Sequence, residues 1–185
     1  DTERQEGKTI SLFYGTESKL DVRYGISFIS AEQAKKNLQR EITTYDVKAV
    51  ADAGRKIWNE TLGKITVEGG SEDEKEIFYT SLYRTYERMI NISEDGKYYS
   101  AFDGKIHEDG GTPFYTDDWI WDTYRACHPL RVLIEPKMET DMIRSFIRMA
   151  EQMDNFWMPT FPEITGDSRR MNSNHGGATI IDSYV

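Results

Sequence analysis

Between residues 138 and 153, Met138, Met142, Ile143, Phe146, Met149, Ala150 and Met153 fall at spacings of three and four. That period gathers apolar side chains on one face of an α-helix, and such a face has to be covered by another element. Two further stripes repeat the pattern. Val47, Val50, Ala51, Ile57, Trp58 and Leu62 follow Asp46, a residue suited to capping a helix N-terminus. Ile77, Phe78, Leu82, Tyr86 and Met89 follow Ser71 and Glu74, which have the spacing of a capping box. Ser30 and Gln33 offer the same box to a more polar helix reaching about Glu41. These helices restrict the chain to a packed helical array, and 185 residues suffice for a core.

The first thirty residues follow a different period. "TISLFY" alternates Ile10, Leu12 and Tyr14, "GTESK" supplies a turn, and "LDVRYGISF" places Leu20, Val22, Tyr24, Ile26 and Phe28 two apart. Such alternation predicts a hairpin with one buried face, which needs additional strands to be stable. The fold class expected is therefore α+β and mainly α: strands first, then amphipathic helices joined by short turns and two long loops. In the loop over 91–114, turn signals at Asp95-Gly96, Asp103-Gly104 and Gly110-Gly111 surround a short strand from Tyr98 to Phe102. The other loop runs from Asp154 to Gly177. The chain opens on charged residues without Met and closes on an apolar helical pattern, which suggests a piece of a longer protein.

Charge and cysteine content narrow the chemistry. A net charge of −9 and a pI near 4.9, with no dense Lys/Arg run, argue against nucleic acid as a partner. The single cysteine, Cys127, can form neither an internal disulfide nor a cysteine-based zinc centre, and His107, His128 and His175 lack the spacing of a catalytic zinc site. No apolar stretch is long enough to cross a membrane.

The densest chemistry lies in "YTDDWIWDTYRACHPLR", residues 115–131. One helix is expected from about Asp117 to Leu133, placing Trp121, Arg125 and His128 near one face and stacking Asp118 on Asp122. Carbohydrate sites use this mixture: an indole covers the apolar C–H face of a sugar, and a carboxylate accepts from neighbouring hydroxyls. Trp121 and Asp122 suit those two roles. The plainer alternative is a core tryptophan, an Asp favouring the helix dipole and an Asp122–Arg125 ion pair. His128, just before Pro129, reads as a hydrogen-bonded structural histidine. His175, in "SNHGG", serves equally as a site residue or as part of a helix cap. Asp117, Asp118, Asp122, Glu163, Asp167 and Asp182 are the carboxylates available for acid–base work, but spacing in sequence does not give their separations.

The ordered set "TDDWIWDTYRACHPL", "MIRSFIRMAEQM", "FWMPTFPEITGDSRRM" and "NHGGATIIDSYV" resembles glycoside hydrolase family 92, the calcium-dependent exo-acting α-mannosidases. "VRYGISFISAEQAKKNLQRE" is similar to the segment where that family's β-sandwich meets its linker helices. The resemblance implies the C-terminal edge of a β-sandwich over residues 1–30, a helical linker over 31–66 and the first helices of an (α/α)6 barrel over 67–185. It implies an inverting enzyme that removes terminal α-linked mannose from glycans outside the cytoplasm (periplasmic, cell-surface or secreted), the rest of the chain being an obligate partner. Trp121 and Asp122 match the family's mannose-contacting pair, with Trp119 and Arg125 shaping the pocket and His175 a further candidate substrate-binding residue. The catalytic acid and base and the calcium ligands are expected outside these 185 residues. The rival reading is a non-catalytic carbohydrate-binding or helical scaffold protein.

Overall fold

A computed structural model describes residues 19–171 and 174–184, together with 7, 9, 11 and 15. Helix α1 (Ala31–Glu41) starts at Ser30, whose hydroxyl accepts from the Gln33 amide, and α2 (Val47–Leu62) starts at Asp46, which accepts from the amides of Lys48 and Ala49. Only the first half of the Ser30 box forms. The Gln33 side chain reaches Asn37 and Asp95 instead of the backbone of Ser30, tying α1 to the loop that follows Asn91. Helix α3 (Glu72–Arg84) has the full reciprocal box of Ser71 and Glu74. It packs on α2, with Trp58 edge-on to Tyr83 at 4.5 Å.

The N-terminal hairpin expected from the sequence falls partly outside the described residues. Ile10, Leu12 and Tyr14 lie outside the described residues, and Leu20–Phe28 runs extended without joining a ladder. Its alternation persists with the opposite sense: Val22, Tyr24, Ile26 and Phe28 face outward, while Arg23, Gly25 and Ser27 turn inward. Gly25 explains the inversion. A Cβ there would stand 2.4 Å from the Ala34 carbonyl oxygen and 2.8 Å from Leu38 Cβ, so the segment can lie against α1 only by its smallest residue. Asn37 holds it there by donating to the Ile26 carbonyl at 3.0 Å.

The excursion over 91–114 is a folded-back structure of small sheets. Strand β1 (Ile90–Asn91) pairs antiparallel with β4 (Tyr115–Thr116), and between them β2 (Lys97–Ser100) and β3 (Lys105–Glu108) form a hairpin. The strand expected at Tyr98–Phe102 thus starts one residue earlier and ends two residues earlier, in the turn that Gly104 closes at φ +71°. A third sheet, β5 (Pro162–Glu163) and β6 (Gly166–Asp167), interrupts the second long loop. The described residues are therefore mainly helical with three two-stranded sheets.

Residues 117–133 do not form one helix. They form a single turn, α4 (Ile120–Thr123), then a break at 124–126, then α5 (Cys127–Ile134). Pro129 accounts for the break. In a continuous helix its ring would clash with the carbonyl of Arg125, whereas starting α5 at Cys127 puts it in the first turn, where no N–H is needed. Helix α6 (Pro136–Gln152) is the centre of the molecule. Its Met142, Phe146 and Met149 are almost fully buried and join Met89, Ile92, Tyr98, Phe114 and Ile120 in one core cluster, and α5 and α7 (His175–Ser183) pack beside it.

Candidate functional site

The site begins where β4 passes into α4. Asp117 takes a positive φ of 63° and pairs with Arg88, so the chain turns sharply and the next carboxylate, Asp118, enters the interior. Asp118 has no exposed surface. Its amide donates to the Pro162 carbonyl, and its carboxylate accepts from Thr123 Oγ1 at 3.0 Å and from His128 Nε2 at 3.1 Å. The other ring nitrogen of His128 donates to Glu139 Oε1 on α6 at 2.8 Å. Burial disfavours charge on this imidazole, but the two carboxylates outweigh burial and raise its pKa to about 9. His128 is therefore a hydrogen-bonded structural imidazolium.

The break after Thr123 undoes the stacking expected for a continuous helix. Asp118 is buried while Asp122 is exposed, and His128 is buried while Trp121 and Arg125 are exposed. The expected Asp122–Arg125 ion pair does not form. Arg125 Nε donates instead to the Tyr124 hydroxyl at 3.0 Å, leaving the Asp122 carboxylate with no partner among the described residues. Trp119 lies under the Arg88 guanidinium, 3.8 Å from the ring centroid, and stacks on Phe161.

Fifty residues further on, α7 brings His175 to the same place. Its ring stacks on Tyr124 at 3.9 Å and meets Trp121 edge-on at 5.0 Å, and its Nε2 is buried without a hydrogen-bond partner among the described residues. Trp121 is 42 % exposed, so its indole is free on its other side. A cavity of about 360 Å³ adjoins this group, lined by Tyr124, Arg125, Pro129, Ala178 and Asp182. The structure thus brings His175 to Trp121 and Tyr124 and Arg125 to Tyr124, with Asp122 exposed next to Trp121 on the α4 turn and Trp119 packed against Arg88 and Phe161. Tyr124, unassigned from sequence, carries the usual sequence signal of a buried aromatic and nothing more.

The remaining carboxylates are mostly committed to the fold. Asp117 pairs with Arg88, Glu163 with Arg170, and Asp167 accepts from the amides of Thr160, Phe161 and Arg169. A larger cavity, about 820 Å³, lies away from Trp121 among Asp103, His107, Glu151, Asp154, Asp167 and Arg169. Its size does not make it the site, because none of Trp121, Asp122, Tyr124, Arg125 and His175 lines it. No set of three or more His, Cys, Asp or Glu side chains among the described residues is arranged to hold a metal ion, so the calcium that the sequence resemblance implies has no fitting ligand set among them.

Comparison with known proteins identifies the family. Residues 33–185 match the family model for the glycosyl hydrolase family 92 catalytic domain. The inverting family 92 mannosidase BT2199 of Bacteroides thetaiotaomicron VPI-5482 is similar at 33% identity with a TM-score of 0.76, over 85% of this chain and 21% of that one. The family 92 α-mannosidase BT3965 of Bacteroides thetaiotaomicron, solved with mannoimidazole, is similar at 26% identity and a TM-score of 0.74, over 83% of this chain and 20% of that one. The family 92 glycosyl hydrolase ccman5 is similar at 28% identity and a TM-score of 0.63, over 68% of this chain and 17% of that one. No curated protein sequence matches. The chain spans about a fifth of the length of the solved structures it matches. With its helical region matched from residue 33 to the end, the chain belongs to glycosyl hydrolase family 92.

Proposed function

We propose that this chain forms the terminal-mannose contact of an inverting exo-acting α-mannosidase. The observation that carries the reading is the Asp122 carboxylate beside a half-exposed Trp121, with His175 next to Trp121, neither that carboxylate nor His175 Nε2 having a hydrogen-bond partner among the described residues. Trp121 offers its face to the C–H side of a pyranose, Asp122 accepts from adjacent hydroxyls, and His175 supplies one further hydrogen bond. Arg125, restrained by Tyr124, shapes the wall, and Trp119, clamped between Arg88 and Phe161, supports it from below. Inversion requires an acid and a base carboxyl on opposite sides of the scissile bond, roughly 6.5–9.5 Å apart. We assign that pair, and the calcium ligands, to other parts of the whole protein.

Residues 1–30 are then the end of a β-sandwich, 31–66 the linker helices and 67–185 the first part of an (α/α)6 barrel. The start of the family match at residue 33 supports the first boundary. Mannose-containing glycans are the substrates on this reading, and a periplasmic, cell-surface or secreted location goes with them. The test is a panel of α- and β-linked glycosides given to the full-length protein, with the anomer of the released sugar followed by NMR. Release of β-mannose from α-mannosides is expected. Saturable mannose binding without turnover would instead favour a non-catalytic carbohydrate-binding protein, and neither turnover nor binding would remove the reading.

A further inference from the structure

A one-turn helix cannot hold itself: four residues make too few internal hydrogen bonds to offset the entropy of ordering them, and α4 has no side-chain cap at its start. Yet α4 carries Trp121 and Asp122, the two side chains the sugar reading depends on. Something outside the turn has to fix it. Two anchors are visible. Ile120 is fully buried in the core cluster, and Thr123 directs its hydroxyl to the buried carboxylate of Asp118, whose two oxygens both lie 3.0 Å away.

Asp118 is in turn not free to move. His128 holds it from α5, and Glu139 holds His128 from the first turn of α6, the best-packed helix, each member being no more than 1 % exposed. Two carboxylates and an imidazole in the interior are costly to bury, and a well-packed apolar trio would serve stability as well or better. Their directional bonds supply what apolar packing cannot, a defined orientation for the group at the end of the chain. The three residues sit on separate segments, α6, α5 and the turn before α4, so the chain of bonds connects the sugar-facing turn to the core.

We infer that Asp118, His128 and Glu139 are positioning residues that fix the α4 turn through Thr123 and thereby set the direction in which Trp121 and Asp122 face. The inference rests on the mannose-contact reading for its consequence in activity, but not for its mechanical part. Loss of the Thr123 bond frees the C-terminal end of the turn while Ile120 still anchors its start. The indole and the carboxylate then sample orientations in which they no longer engage one sugar together.

The test compares Thr123→Val with Thr123→Ser in the full-length protein. Valine keeps the shape and removes the hydroxyl, and serine keeps the hydroxyl. Amide hydrogen exchange is followed over residues 120–124 and over α6 as an internal control, beside kcat/KM for an α-mannoside. Thr123→Val should raise exchange in the turn and lower kcat/KM by roughly tenfold each, as expected for losing a hydrogen bond to a charged group, with α6 unchanged and serine restoring both. Unaltered exchange in the turn of Thr123→Val overturns the inference. So does a loss that spreads equally through α6, or one that serine fails to restore, since either makes the hydroxyl a matter of general packing. An inactive wild-type protein whose turn still loosens in Thr123→Val, with serine rescue, sinks the mannosidase reading and leaves the clamp standing. Asp118→Asn gives a second variant, expected to loosen the same five residues.

Discussion

His128 is the residue whose state most affects the molecule's response to pH. Both ring nitrogens face carboxylates, so the imidazole satisfies both only when it carries two protons. Asp118 and Glu139 hold its pKa at about 9 against the opposing effect of burial. A folded-state value above the unfolded value of about 6.5 means that the stabilisation is complete below about pH 6.5 and is lost as pH rises through about 9. Unfolding midpoints in urea should therefore decline between pH 7 and pH 10, most steeply between the two pKa values and levelling off above about 9. His128→Gln, unable to titrate, should be less stable at pH 7 and should lack that component of the decline. A wild-type midpoint that stays flat from pH 7 to pH 10 would show that the imidazole is not held charged. Sequence indicated a hydrogen-bonded structural histidine at this position but gave no sign of its partners. Asp118, His128 and Glu139 are ten and eleven residues apart, on elements whose relative placement comes from tertiary packing.

At the scale of elements, the caps and the buried face of α6 were legible, and the faces of 117–133 and 20–28 were not. Ser71 with Glu74 and Asp46 mark the starts of α3 and α2 because capping is a local hydrogen-bond problem. The single helix expected over 117–133 runs through Pro129, whereas Pro129 lies in the first turn of a new helix, α5. That difference separates Asp118, which is buried, from Asp122, which faces solvent. Residues 20–28 give the same lesson: alternation predicted an extended segment with an apolar face, and contact with α1 decided which face turned inward. Two alanine substitutions measure that contact. Gly25→Ala should destabilise by about 1–3 kcal/mol, because its Cβ meets the backbone of α1. Gly54→Ala, in the middle of α2 with open space around it, should stabilise by about 0.5–1 kcal/mol. Urea unfolding of both variants checks the signs, and a neutral Gly25→Ala would mean the extended segment does not rest on α1.

Across the whole molecule, the packing is uneven. The core gathers around α6, while α2 buries none of its residues and leaves Val47, Val50, Ile57 and Trp58 exposed, as are Leu20, Val22, Tyr24 and Ile26 before it. Unpartnered apolar faces of this kind bind hydrophobic dyes and self-associate. The 185-residue chain by itself is expected to do both, and a monomeric, cooperative melt without dye binding would contradict that expectation. The central claim, that Asp122 contacts mannose, is tested most directly by kcat/KM for an α-mannoside on the full-length protein and on Asp122→Asn, with Tm measured on the same preparations. Asparagine keeps the shape, replaces one acceptor oxygen with a donor and removes the charge. Because Asp122 has no partner within the described fold, Tm should hardly move, while the loss of a charged hydrogen bond should lower kcat/KM by roughly tenfold to a hundredfold. An Asp122→Asn enzyme with undiminished kcat/KM would contradict the assignment of this turn as the sugar contact.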